Sequence, residues 1–222
     1  HGSSVNPERQ EGPHAHGIIP SPDDRFALSC DLGLDQVLVY RLDPGHCGLS
    51  ANEPPFARTQ PGSGPRHLAF HPKGRLAYVI SEMGSTITAF TYDPKRGTLK
   101  AFQTVSTLPA GYQGFRSGAE LQFHPSGKFL YGSNRGHDSI VVFAVQKNGR
   151  LTYLEHQPSL GKTPRHFLFD PTGHWLLVEN QDSNNVVVFK VSARSGRLTP
   201  TSERIEVGAP VCAVFAGAPS GQ

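Results

Sequence analysis

The chain carries histidine, arginine and glutamate side chains at positions that recur with a regular spacing. They stand just before or just after short apolar runs: His14, His16, Arg66, Glu82, Glu120, Asn134, Arg135 and Arg165. Histidine and glutamate can accept a proton, and the planar guanidinium group of arginine binds phosphate or carboxylate through paired hydrogen bonds. The set therefore indicates a site for acid–base chemistry on a small anionic molecule.

These positions belong to a fourfold repeat. Each copy is anchored by the apolar residue that opens its second predicted strand: Phe26, Leu76, Phe129 and Trp175. A third strand begins 11 residues after each anchor, at Val37, Ile87, Ile140 and Val186. An aromatic residue follows 3 positions later in every copy: Tyr40, Phe90, Phe143 and Phe189. We interpret these aromatic residues, Phe129 and Trp175 as core residues between repeats.

The repeats predict an all-β fold of the propeller class. A proline-containing turn precedes each second strand, as in His71–Arg75 and Asp170–His174, which is typical of a tight hairpin. Successive anchors lie 50, 53 and 46 residues apart, within the range of a four-stranded blade. We expect a single propeller domain over 1–222 with four four-stranded antiparallel blades, at about 12–61, 62–118, 119–161 and 162–208.

The last predicted strand has no blade of its own. Residues 209–216 resemble the innermost strand of a fifth copy, whereas the first copy already has its inner strand near Gly17–Pro20. We therefore expect the N-terminal blades of a larger ring to be missing from this chain, with 1–10 as the tail of a preceding blade.

Composition excludes several classes of protein. The formal charge is +3 and the basic residues are scattered, so nucleic-acid binding is not expected. No apolar run approaches the roughly 18 residues of a membrane helix, so no membrane partner is expected. The three cysteines form no disulfide framework. We expect a cytoplasmic protein, although the chain begins at His1 rather than at Met.

Four phrases of the sequence resemble the lactonase family of seven-bladed β-propellers, which includes propeller-type 6-phosphogluconolactonases and the carboxy-muconate lactonizing enzymes. They are Gln10–His16, Asp31–Asp35, Gly64–His67 and Tyr131–Ile140. The resemblance covers essentially the whole chain and corresponds to the last two thirds of a family member.

The resemblance implies a site in the central channel of the propeller. It assigns catalytic roles to Glu82, His14 or His16, and Arg66, and substrate binding to Arg165, with Glu120 as a further candidate. Asn134 and Arg135, in the fourth phrase, are expected on the substrate-binding side. The implied reaction is the opening of a sugar lactone by water, with 6-phosphogluconolactone as the expected substrate, and either Glu82 or a neutral His16 accepting the proton.

Alternatives stay open at the level of sequence. A carboxy-muconate-type lactonizing cycloisomerase and a non-catalytic interaction scaffold would share the same repeats. Glu82 and the arginines could also simply neutralise one another. The sequence offers no third ligand beside His14 and His16 at a spacing typical of a metal site, so we expect no metal. No cofactor is implied.

Overall fold

Sixteen strands follow one another in the computed structural model, which describes residues 2–216. In chain order they are β1 Ala15–Pro20, β2 Phe26–Asp31, β3 Gln36–Asp43, β4 Gly48–Arg58, β5 Pro65–Phe70, β6 Leu76–Ser81, β7 Thr86–Asp93, β8 Thr98–Ser106, β9 Ser117–Phe123, β10 Phe129–Arg135, β11 Ser139–Val145, β12 Leu151–Pro158, β13 Pro164–Phe169, β14 Trp175–Asn180, β15 Asn185–Val191 and β16 Leu198–Glu206. A short 3₁₀ turn at Gln181–Ser183 separates β14 from β15.

The strands form four sheets of four, each an antiparallel meander in chain order. The first strands of the sheets, β1, β5, β9 and β13, lie next to one another and form the inner wall. This arrangement confirms the predicted propeller of four-stranded blades. The third blade begins at Ser117 rather than at 119, because Ser117 and Gly118 already pair with Arg135 and Asn134.

Each hydrophobic core lies between two neighbouring blades. Successive residues of a strand face opposite sides of its sheet, so Val79 packs towards the first blade and Tyr78 and Ile80 pack towards the third. A third cluster joins the last two blades around Tyr131 and Phe167. The propeller is thus stabilised by contacts between sheets.

The anchor residue of each blade packs against a glycine turn of the next one. A Cβ atom placed on Gly97 would lie 2.5 Å from the Phe26 ring, and one on Gly196 would lie 2.5 Å from Phe129. Both glycines have a positive φ. The prediction that Trp175 is a core residue is wrong: its side chain is 41% exposed, because no further blade covers it among residues 2–216. Tyr40 is likewise only half-buried, on the uncovered side of the first blade.

Residues 209–216 form no strand of any sheet. The innermost strand predicted there has no partner strand in the described part of the chain. The described residues contain no helix long and apolar enough to cross a membrane.

Candidate functional site

The site is built on an irregularity that the inner strands share. The register between inner and second strand shifts between Ala15 and Gly17 in β1, between Pro65 and His67 in β5, and between Pro164 and His166 in β13. The residues at the shift are His16, Arg66 and Arg165. A β-bulge re-aims a side chain out of the regular alternation. The same backbone feature therefore places three of the predicted site residues at the inner wall.

A pocket of about 480 Å³ opens beside these bulges. Its lining includes most of the predicted site residues together with three charged residues of the N-terminal segment: Glu8, Arg9, Glu11, His14, Ala15, His16, Leu32, Glu82, Arg135 and Arg165. Asp35 holds the N-terminal segment in place by accepting hydrogen bonds from Ser4 Oγ and Gln10 Nε2. This segment is therefore part of the site.

Three guanidinium groups surround the Glu82 carboxylate at the floor of the pocket. Arg9 Nη2 lies 2.8 Å from Glu82 Oε1, Arg135 Nη2 lies 2.9 Å from Oε2, and Arg66 Nε lies 3.2 Å from Oε2. Burial alone would raise the pKa of Glu82, but the hydrogen bonds from Arg9 and Arg135 and the charge of Arg66 outweigh it and lower the pKa. Glu82 is an ionised anchor for the arginines.

Arg66 lies beneath the pocket and is outside its lining. Its side chain is 3% exposed, and Nη1 donates to the Ala119 carbonyl at 2.7 Å and to His67 Nε2 at 3.3 Å. Burial and the neighbouring charge of Arg135 lower the pKa of Arg66 to about 10. The Arg66 guanidinium group is thus held by protein groups on three sides, and its catalytic role stays a prediction.

Arg165 lines the same pocket. The residue is half-buried, and within residues 2–216 it has no hydrogen-bonding or ion-pair partner. A guanidinium group turned towards a pocket without a carboxylate partner is suited to a bound anion.

The two predicted histidines occupy different places in the pocket. His16 lies at the wall, with its ring centroid 5.0 Å from that of His67. Partial burial, followed by the charge of Arg66, lowers the pKa of His16 to about 4, so the ring is neutral at neutral pH. His14 lies at the exposed rim and contacts Glu11 Oε1 at 3.0 Å. Both histidines are exposed to solvent, and His16 is the one whose ring lies beside His67 and the charge of Arg66.

Two predicted substrate-binding residues lie elsewhere. Asn134 is fully buried, and its side-chain amide donates to the Thr107 carbonyl at 2.7 Å. In the fourth blade, Asn180 makes the same kind of bond to the Ser159 carbonyl of the preceding blade. Asn134 therefore joins blades and does not face the pocket. Glu120 is buried in β9, where its carboxylate contacts His67 and His166.

The repeat pattern does not mark Arg9, because nothing periodic marks residues 2–13. The Arg-His pairs of β5 and β13 were a usable signal, since a bulge turns both members of such a pair towards the inner wall. In the described part of the chain, no group of three or more His, Cys, Asp or Glu side chains could hold a metal ion.

Comparison with known proteins agrees with the fold and the repeats. The family described as "Lactonase, 7-bladed beta-propeller" matches residues 1–215. A 6-phosphogluconolactonase of Bacillus subtilis is 39% identical over 94% of this chain and 59% of its own length. The curated relatives are therefore longer, and this chain spans about three fifths of them.

Solved structures give the same result. The periplasmic gluconolactonase PpgL of Pseudomonas aeruginosa has a TM-score of 0.93 and 38% identity, covering 99% of this chain and 61% of that one. A putative 6-phosphogluconolactonase of Bacteroides fragilis has a TM-score of 0.88 and 36% identity, covering 95% of this chain and 60% of that one. By its match to the family over residues 1–215, by these relatives and by its four blades, the chain belongs to the seven-bladed β-propeller lactonase family.

Proposed function

We propose that the protein is a lactone hydrolase of the 6-phosphogluconolactonase type and opens a phosphorylated sugar lactone in the pocket beside the three bulges. The observation that carries this proposal is that a neutral base and a cation without a described partner line the same pocket. His16 has its pKa lowered to about 4, and Arg165 lines the same pocket without a partner among residues 2–216. The names of the relatives support the reaction class.

His16 is the base in this proposal. A water molecule attacks the lactone carbonyl carbon and gives a proton to the His16 ring, and the ring C–O bond breaks as the tetrahedral intermediate collapses. The protonated His16 then returns the proton to the leaving alkoxide, so the products are a free hydroxyl group and a carboxylic acid. Glu82 is the alternative base, but its lowered pKa and three arginine partners suit it to an anchoring role.

The arginines divide into anchored and free groups. Arg9 and Arg135 each contact Glu82 while lining the pocket, so they are held in place to stabilise negative charge on the carbonyl oxygen. Arg165 is available for the phosphate group. A small anionic lactone is thus the partner that this charge arrangement fits.

We infer that the activity belongs to a longer polypeptide with further N-terminal blades. The chain contributes four blades to a family described as seven-bladed and spans 59% of the Bacillus relative. The cytoplasmic location stays a prediction, and one similar structure is described as periplasmic.

Hydrolysis rates of 6-phosphogluconolactone and unphosphorylated gluconolactone, corrected for spontaneous opening, test the proposal in the complete gene product. We expect His16→Asn to lower kcat about 100-fold or more, as for loss of a general base. Arg165→Ala should raise KM about tenfold or more for the phosphorylated lactone only, because one charge-assisted contact is lost. Arg204→Ala is the matched control, since Arg204 pairs with Glu206 on the outer strand.

The pH dependence of kcat/KM gives a second check. The base must be unprotonated, so activity falls as the pH drops through the pKa of His16, and the acidic midpoint should lie near pH 4 rather than 6.5. Absence of lactone turnover in the unaltered protein would overturn the proposal, and the formation of a lactone from a carboxylated diene acid would indicate the cycloisomerase.

A further inference from the structure

A second set of ionisable residues lies near the bulges, on three inner strands and on β14, and its members do not line the pocket described above. It consists of His67 in β5, Glu120 in β9, His166 in β13 and Glu179 in β14. Glu120 and Glu179 are 5% and 1% exposed. Buried carboxylates are costly unless they are paired, so these two require the histidines beside them.

The contacts between these residues are continuous. His166 Nδ1 lies 2.6 Å from Glu179 Oε2, and His166 Nε2 lies 3.5 Å from Glu120 Oε2. The same Glu120 oxygen lies 3.0 Å from His67 Nδ1. One imidazole thus stands between two carboxylates, and one carboxylate oxygen stands between two imidazoles.

The chain of contacts continues to the Glu82 carboxylate through Arg66. Arg66 Nη1 can only donate, so at 3.3 Å from His67 Nε2 it requires that nitrogen to accept. The proton of His67 is then on Nδ1, which donates to Glu120. The other side of Arg66 holds Glu82 through Nε at 3.2 Å. Glu179, His166, Glu120, His67, Arg66 and Glu82 therefore form one series of contacts.

We propose that His166 is a positioning residue for the lactone-opening site: in its protonated form it holds Glu120, Glu120 holds His67, and His67 fixes the Arg66 guanidinium group that anchors Glu82. This proposal rests on the proposed function. The series crosses three blades, so it also couples the site to the packing of those blades.

The charges around His166 support its protonated form. Glu120 faces the His166 ring from β9, and Glu179 faces it from β14. Cys212 Sγ lies 4.0 Å from His166 Nε2. The charge of Arg66, on β5, opposes the protonation of the ring. Burial lowers the pKa of His166, but the hydrogen bond that its Nδ1–H donates to Glu179 and the charge of Glu120 outweigh it and raise the pKa. When His166 loses its proton at higher pH, one of its two ring N–H donors is lost and two buried carboxylates lose their shared cation.

The test compares the alkaline limb of the kcat/KM profile in the complete gene product and in Glu179→Gln. Neutralising one carboxylate should move the alkaline midpoint to lower pH by about one unit, the usual effect of one adjacent opposite charge. His124→Gln is the matched control, because His124 also joins two blades, through the Gly173 carbonyl, and lies outside the series. His124→Gln should lower the melting temperature and leave the acidic and alkaline midpoints of the kcat/KM profile unchanged.

An alkaline limb that is identical in Glu179→Gln and in the unaltered protein overturns the proposal. A second readout does not depend on turnover: the NMR signal of the Arg66 Nε–H group should titrate with the same midpoint as the His166 ring. A titrating signal in a protein without lactone turnover would refute the proposed function and support the positioning role. A signal that does not follow His166 refutes the positioning role.

Discussion

Three arginines hold the Glu82 carboxylate, and they differ chiefly in burial. The side chain of Arg66 is 3% exposed and that of Arg135 is 12% exposed, whereas that of Arg9 is 54% exposed. An exposed ion pair contributes little to stability, while removal of one member of a buried pair leaves an uncompensated charge. Similar distances therefore have different energetic consequences.

We predict that Arg66→Ala lowers the free energy of unfolding by about 1–3 kcal/mol, because the buried Ala119 carbonyl loses its hydrogen-bond donor and Glu82 keeps only Arg9 and Arg135. Arg9→Ala should lower it by less than about 1 kcal/mol, as for an exposed pair, while raising KM for the lactone. Urea unfolding of both variants beside the unaltered protein measures the difference. Equal losses of stability in the two variants would contradict this account of the site.

At the scale of the element, tyrosine and histidine side chains join neighbouring blades in a repeating way. Tyr78 Oη donates to the Gly149 carbonyl, and Tyr131 Oη donates to the Gly196 carbonyl. His71 and His124 bond to the Gly127 and Gly173 carbonyls through Nε2. The repeated turns of one blade are thus the acceptors for the preceding blade.

The glycine turn of the fourth blade provides a prediction at this scale. Gly196→Ala should destabilise the protein by more than about 1 kcal/mol, because φ is +73° and the new Cβ would lie 2.5 Å from the Phe129 ring. Gly208→Ala is the control, since nothing lies within 4 Å of its Cβ position. Denaturant unfolding measures both variants, and an equal effect at the two positions would refute the packing argument.

The sequence predicts the blades because their signals are local. Strand spacing, proline turns and anchor residues all lie within one repeat of about 50 residues. Glu82 and His16, which stand at recurring positions of the repeat, line the same pocket. One partner of the Arg66 side chain is not local: the Ala119 carbonyl lies 53 residues away in sequence. Whether a polar residue at the wall faces the pocket, as Arg165 does, or joins blades, as Asn134 does, depends on such contacts and has no sequence period.

At the scale of the whole molecule, both end blades present an apolar face that nothing covers in the part of the chain described. The side of the first blade that faces away from the second exposes Ile18, and the side of the fourth blade that faces away from the third exposes Trp175. Exposed apolar faces of this kind mark contact surfaces. In the interior, the equivalent anchors Phe26 and Phe129 are buried.

We predict that the 222-residue chain produced alone self-associates at micromolar concentration through these two faces. Ile18→Lys with Trp175→Lys should reduce the association, because charges on a contact face oppose it. Leu49→Lys, at a position 57% exposed on the outer strand β4, is the control and should leave the association unchanged. Light scattering over a concentration series measures the self-association of the unaltered chain and of each variant. A monomer at every concentration would refute the prediction.

The shared bulge of the inner strands has a consequence for how such a site can change during evolution. The first, second and fourth blades each present one residue of the inner wall at the same backbone position, and strand pairing resumes on either side of it whether that residue is histidine or arginine. His16, Arg66 and Arg165 thus occupy equivalent positions in three blades of the same fold. New substrate preferences can arise by exchanging single residues, one blade at a time, while the ring itself is preserved.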